Sequence, residues 1–421
     1  MKRIFFLLLA SICLGRPAAQ VNRILADHIK TLTVTADQKW NKAPVIHLNA
    51  SNGGFIQIDF DDLTHEYKRY TYSIDFCNYD WSPNEDLSDI DYLKGFNSEL
   101  VIDNYAQSLN MTQAYTHYSF RIPNKEVRLT AAGNYRVTVY DTTEDEATPV
   151  AQAFFSVVNP QILLSADVSA DTDIDRNATH QQMELSVNFG RLRVRNPHEE
   201  LKIVVCQNYR WDNARLAPRA NFVTPTELKW THNKALIFDA GNEFRKFEVL
   251  NLHNPALGVD NIRWFDPYYH VTLQQDKPRK NYIYNEDQNG SFLIRNEDNT
   301  ENATQSDYMY VHYSLKTEPI KDARIFVCGR WAPTFSPETE MKYNPSTGCY
   351  EAALFQKQGY YNYQYLALYG KDSPENGKTA PTEGNFYQTE NRYDVFVYYR
   401  PQGGRYDQLV GYGEVKYGTG K

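Results

Sequence analysis

Long apolar runs are missing from this 421-residue chain, and past its first residues nothing approaches the ~18 consecutive apolar positions that a membrane-spanning helix needs. Direct insertion into a bilayer is therefore not expected, and work at a membrane would go through a partner. An excess of basic residues is also missing. With 44 Lys and Arg against 52 Asp and Glu the formal net charge is −8, which argues against nucleic acid and against docking on anionic lipid. Cysteine is scarce, with five in all and neither a C-x-x-C pair nor a Cys/His cluster of zinc-site spacing. Catalytic signatures are absent too. The ten histidines are scattered without H-E-x-x-H or H-x-H, and G-x-S-x-G, Walker and dinucleotide glycine patterns do not occur. No enzyme, cofactor or metal site is expected.

The first residues are a different matter. Met1-Lys-Arg-Ile-Phe-Phe-Leu-Leu-Leu-Ala-Ser-Ile-Cys-Leu-Gly starts positive, continues with an apolar stretch too short to cross a bilayer, and reaches the small residues Ala18-Ala19. This is the pattern of a secretory signal peptide, expected over 1–19. Ile12 is too large to precede a lipidated Cys13, so the exported protein should carry no lipid anchor.

What the chain has in abundance is alternation of apolar and polar residues, the period-two signal of half-buried strands. Ile56, Ile58 and Phe60 form one stripe, Tyr70, Tyr72, Ile74 and Phe76 a second, and Tyr135, Val137 and Val139 a third. Met183, Leu185, Val187 and Phe189 repeat the pattern, as do Tyr361, Tyr363 and Tyr365. Asn344-Pro-Ser-Thr-Gly348 reads as the turn of a hairpin. Convincing amphipathic helices are missing. Three times a cysteine precedes a tryptophan at a strand end, in Cys77-Asn-Tyr-Asp-Trp81, Cys206-Gln-Asn-Tyr-Arg-Trp211 and Cys328-Gly-Arg-Trp331, at near-equal intervals. Many short strands with this recurrence predict an all-β chain of tandem immunoglobulin-like β-sandwich domains, at 20–158, 159–300 and 301–421. The three cysteines then fall in different domains; only Cys328 and Cys349 could form a disulfide.

Two acidic stretches could hold a cation. Asp171, Asp173 and Asp175 open like a calcium loop, but Arg176 stands where the sharp turn needs Gly and Gln182 where the bidentate Glu should be, so a solvated loop is expected. Glu85, Asp86, Asp89 and Asp91 read as an exposed acidic turn. Binding chemistry is richest in the last third. Trp331, Tyr360 and Tyr361, with Trp81 and Trp211, are the candidate partner-binding residues, because aromatics anchor protein interfaces and stack on sugars. Core packing is the competing account of the same residues: Tyr361, Tyr363 and Tyr365 share one face of a strand, leaving Tyr360, Asn362 and Gln364 on a mostly polar outer one.

The motifs in order, Tyr72-Ser-Ile-Asp-Phe-Cys-Asn-Tyr-Asp-Trp81, Gln207-Asn-Tyr-Arg-Trp-Asp-Asn213, Gly241-Asn-Glu-Phe-Arg245, Gly359-Tyr-Tyr-Asn-Tyr-Gln-Tyr365 and Val397-Tyr-Tyr-Arg400, resemble the plug protein family of the Bacteroidetes type IX secretion system. The resemblance implies a periplasmic, non-enzymatic protein, monomeric when free. It would bind the outer-membrane translocon barrel and seal its periplasmic opening when no cargo passes. The last third also resembles early-set sandwiches that carry starch-binding modules, through Val327-Cys-Gly329, Trp331 and Gly359-Tyr360. A periplasmic or surface glycan-binding protein is the alternative.

Overall fold

The computed structural model describes residues 21–49, 54–370 and 376–418, so the expected signal peptide and Cys13 lie outside the described residues. The alternating stripes become strands, and the chain is all-β, 49% strand and 3% helix. Three large hydrophobic cores form, each enclosed by sheet.

In the first core, a six-stranded sheet containing Thr148–Val158, Gly133–Asp141 and Tyr70–Cys77 faces a four-stranded sheet of Ile29–Ala36, Ile56–Asp62, Thr116–Ile122 and Tyr105–Gln107. The predicted stripes supply it: Tyr70, Tyr72, Ile74 and Phe76 from one sheet meet Ile56, Ile58 and Phe60 from the other. The second core lies between the sheet holding Leu163–Ser169, His180–Asn188 and Glu227–Trp230 and a sheet ordered Arg210–Leu216, Leu201–Gln207, Arg392–Tyr399, Gln408–Lys416. The third is wrapped by one nine-stranded sheet that runs from Arg245–Val249 and Gly359–Tyr369 at one end to Tyr268–Leu273 and Val259–Phe265 at the other. Rings from distant strands of this sheet meet across the core, as Phe247 does with Tyr313 of Tyr308–Lys316 at 6.0 Å.

Strand pairing departs from a tandem order. Arg245–Val249, Val259–Phe265 and Tyr268–Leu273, expected before a boundary at residue 300, belong to the nine-stranded sheet. Arg392–Tyr399 and Gln408–Lys416, expected with the last domain, complete the second core by pairing through Leu201–Gln207. The third unit is thus inserted into the second. A two-residue period records that a strand has a buried face; it carries no record of which distant strand will cover it. Within residues 285–307, a stretch rich in Asn, Asp and Glu, the strand Phe292–Ile294 forms and pairs with Gly359–Tyr369. The hairpin at Asn344–Gly348 forms as its turn residues dictate, with Gly348 at φ +66.

Cys77, Cys206, Cys328 and Cys349 are all buried and free. Cys328 packs with Phe326, Leu366 and Leu368, and no bond joins it to Cys349. Burial pushes the Cys77 thiol up to about 12 and holds Cys206 and Cys328 well above the ordinary thiol value. A thiol reagent added to the folded protein should therefore label none of the four within the time that urea-unfolded protein reacts fully. Rapid labelling of any of them in the folded state would show that its core opens.

Candidate interaction surfaces

The sequence-predicted aromatics fall into two groups. Trp81 and Trp211 meet edge to face, ring centroids 5.6 Å apart at 88°, with Trp81 only 2% exposed. Phe154 stands 5.7 Å from Trp81 and Phe396 5.7 Å from Trp211. Cys77, Cys206, Val158, Val204 and Tyr398 fill the same cluster. These residues alternate with core residues on their strands: Phe76 faces the first core and Cys77 the outside, Val205 the second core and Cys206 the outside. The cluster is therefore an apolar seam where the outer faces of the first and second sandwiches press together. A signal for it exists in the sequence. The near-continuous apolar run Phe154-Phe155-Ser-Val-Val158 and the unbroken Val395-Phe-Val-Tyr-Tyr399 are what a strand buried on both faces requires.

Trp331, Tyr360 and Tyr361 collect elsewhere. Trp331 stacks on Tyr313 and meets Tyr361 edge-on at 5.7 Å, while its indole N–H donates to the Asn362 carbonyl at 2.9 Å. Tyr361 is buried in the third core and donates to the Lys357 carbonyl at 2.6 Å. Half-buried Tyr360 reaches Trp40 of the first unit. All five candidates thus pack within the protein. The outer face expected to be polar is polar, yet Asn362 and Gln364 are buried: neighbouring chain covers that face, and the Asn362 side-chain oxygen accepts from the Gln288 amide.

The seam between first and third units is polar. Lys357 and Asp61, each 1% exposed, form an ion pair at 2.6 Å. The second Asp61 oxygen takes His117 Nδ1 at 2.7 Å, and Tyr308 donates its hydroxyl to Asp61 at 2.7 Å. Burial pulls His117 down, but hydrogen bonds to Asp59 and Asp61 outweigh it and hold the imidazole at about 9, protonated at neutral pH. Burial pushes Asp61 up, yet Lys357 and His117 together keep it below the usual carboxylate range. Asp307 adds a clamp by accepting from the backbone and hydroxyl of Thr112 at 2.8 and 2.7 Å. Second and third units are tied where Gly377 accepts from Arg210 at 2.8 Å and donates to Asp212 at 3.1 Å. Interfaces this well paired resist the relative motion that loosely linked domains show.

The acidic stretches serve local contacts. Arg405 pairs with Asp91 at 2.7 Å across the first seam. In the other loop Asp175 pairs with His180 and Asp173 with His232. Among the described residues no group of three or more His, Cys, Asp or Glu side chains is placed to hold a metal.

What faces outward is a feature that sequence reasoning missed. Val259–Phe265 is an edge strand of the nine-stranded sheet, and its hairpin with Tyr268–Leu273 carries Trp264 and Phe265, 47% and 56% exposed. The rings are propped from behind, Trp264 on Tyr269 at 4.8 Å and Phe265 on His270 at 5.3 Å. Aromatics straddling the turn residues Asp266-Pro267 were the available signal, since a tight turn cannot bury every flanking side chain.

Two similarities place this architecture. The chain resembles the crystal structure of a hypothetical protein from Parabacteroides merdae, with 38% identity and a TM-score of 0.90 over 94% of this chain and 99% of that one. No curated protein matches. Residues 29–159, which are the first sandwich almost from end to end, match the first domain of the type 9 secretion system plug protein, and the chain belongs to the type IX secretion system plug protein family.

Proposed function

We propose that the protein is a periplasmic, non-enzymatic plug that binds the outer-membrane translocon of the type IX secretion system and seals its periplasmic opening while no cargo passes. The match of residues 29–159 to the plug first domain carries this reading. Physical chemistry supports it. Occlusion demands a body that keeps its shape under contact, and three cores locked by one apolar and one ion-paired seam meet that demand. No helix among the described residues is long and apolar enough to cross a membrane, so association with the outer membrane would run through the barrel. In this reading Trp81, Trp211, Trp331, Tyr360 and Tyr361 act by holding the body together, and the edge hairpin with Trp264 and Phe265 offers anchors to the partner. Exposed aromatics on an edge strand are a common means of docking.

Tagged protein captured from its own outer-membrane extract should bring down a very large barrel. The double change Trp264→Ser and Phe265→Ser should lower that capture at least tenfold with an unchanged melting temperature, because both rings are about half exposed. Retention on a polysaccharide column without recovery of any barrel would favour the glycan-binding alternative and sink the plug reading.

A further inference from the structure

Where the three units meet they enclose a cavity of about 680 Å³, within the ~300–1,000 Å³ typical of small-molecule sites. Every unit contributes wall: Leu32 and Val34 from the first, Trp211 from the second, and Phe292, Ile294 and Phe335 from the third give it a largely apolar lining. Exposed Asn104 and Arg121 also line it and mark its mouth.

The charged groups on the wall are unequally matched. Its carboxylates are all engaged: Asp61 by Lys357 and His117, Asp212 by Arg210 at 2.5 Å, and Asp59 by His117, Thr33 and Gln57. Arg330 differs. Its guanidinium donates to the Ser291 hydroxyl at 3.1 Å and the Lys42 carbonyl at 2.7 Å and lies 4.9 Å from the Tyr209 ring. Among the described residues no carboxylate lies within ion-pair distance of it. Arg121 likewise has a neutral partner, Gln57 at 2.7 Å, and rests on the Phe55 ring. The cavity therefore carries a positive surplus in a chain whose net charge is −8. Burial and the nearby Arg392 pull the Arg330 pKa down to about 10, the mark of an undercompensated cation. Asp394 offsets part of this, but its carboxylate is itself paired with Arg392 at 3.3 Å, and a guanidinium left in a largely apolar chamber with no carboxylate in contact is costly unless something anionic completes it.

We infer that the three-way cavity binds a small amphiphilic anion, an acyl chain or similar apolar body lying against the apolar wall with its carboxylate or phosphate on the Arg330 guanidinium. The assignment stands apart from translocon binding, since it concerns the interior and not the outer surface. Such a ligand touches all three units, binds only the assembled body, and stabilises it by mass action.

The test uses the full mature chain with dodecanoate and dodecyl phosphate as anionic probes, and dodecanol and dodecyltrimethylammonium as neutral and cationic ones, all below their micelle concentrations. Trp40 and Trp211 line the cavity, so tryptophan fluorescence reports occupancy. Saturable one-to-one binding of an anionic probe is expected, at least tenfold tighter than the cationic probe, with a raised melting temperature. A response to dodecanoate alone would point to a carboxylate ligand, and a tighter response to dodecyl phosphate to a phosphate. Arg330→Gln should weaken anion binding tenfold or more while leaving the ligand-free melting temperature unchanged or higher. Leu32→Trp, which fills the chamber without touching the charge, should abolish binding of every probe and decides the matter if Arg330→Gln fails to fold. Equal affinity for anionic and cationic probes, or binding undiminished in Leu32→Trp, would overturn the assignment.

Discussion

Trp81→Ala is expected to destabilise the protein by about 3–5 kcal/mol, the range for removing a fully packed large aromatic. Trp211→Ala should cost about as much. Each ring lies on a different sandwich, and each packs both on a ring of its own unit and on the other tryptophan across the seam. Either change should therefore loosen both sandwiches together, seen as a shared fall in urea midpoint by tryptophan fluorescence and by far-ultraviolet circular dichroism. The double variant should lose less than the sum by about 0.5–1.5 kcal/mol, the extra worth of an edge-to-face pair. Among the described residues neither indole N–H has a hydrogen-bond partner. Phenylalanine at either site should thus be much milder than alanine, because it keeps a ring and removes an unsatisfied donor. A loss below about 1 kcal/mol for both alanine variants would mean that the seam is not a stability element.

The second large effect lies at the polar seam. Asp61→Asn should cost about 3–5 kcal/mol by leaving Lys357 buried without its counter-charge, and Lys357→Met should cost less, because Asp61 keeps the His117 imidazolium and the Tyr308 hydroxyl. Much of that penalty is the uncompensated charge, so Asp61→Asn combined with Lys357→Met should be less damaging than the sum of the two. Titration gives an independent check. The folded pKa of His117, about 9, lies above its ordinary 6.5, so its contribution is complete below about pH 6.5 and disappears as pH rises through about 9. Asp61 is depressed, so its contribution is complete above the ordinary carboxylate pKa of 3.8 and is lost as pH falls further. Melting temperature should then decline from pH 6.5 to pH 9.5, and His117→Gln should remove that decline. A flat profile in the unsubstituted protein would show that the imidazole is not held by the two aspartates.

Much of the site's chemistry was invisible in the sequence for reasons that particular residues make plain. Asp61 follows Phe60 on a strand that alternates correctly, and nothing local says that its carboxylate will meet Lys357, which is nearly three hundred residues away. Arg330 beside Trp331 reads as an ordinary polar neighbour until three units close around it. Recurrence picks out Trp81 and Trp211 as partner-binding candidates with packing as the competing account, because a strand-end tryptophan looks alike whether it meets solvent, a partner or another sandwich.

The sequence by itself determined that the chain is all-β, which face of most strands is apolar, where the hairpin at Asn344–Gly348 turns, and which family the ordered motifs belong to. These properties follow from periodicity, turn chemistry and residue identity, all encoded over a few neighbouring positions. Only the tertiary structure decided that Arg392–Tyr399 returns to Leu201–Gln207, that Trp81 finds Trp211, that Lys357 neutralises Asp61, and that three units leave a cationic cavity between them. A strand's pattern states that its faces will be covered, but the cover is chosen by the lowest free energy of the whole chain, to which every unit contributes at once.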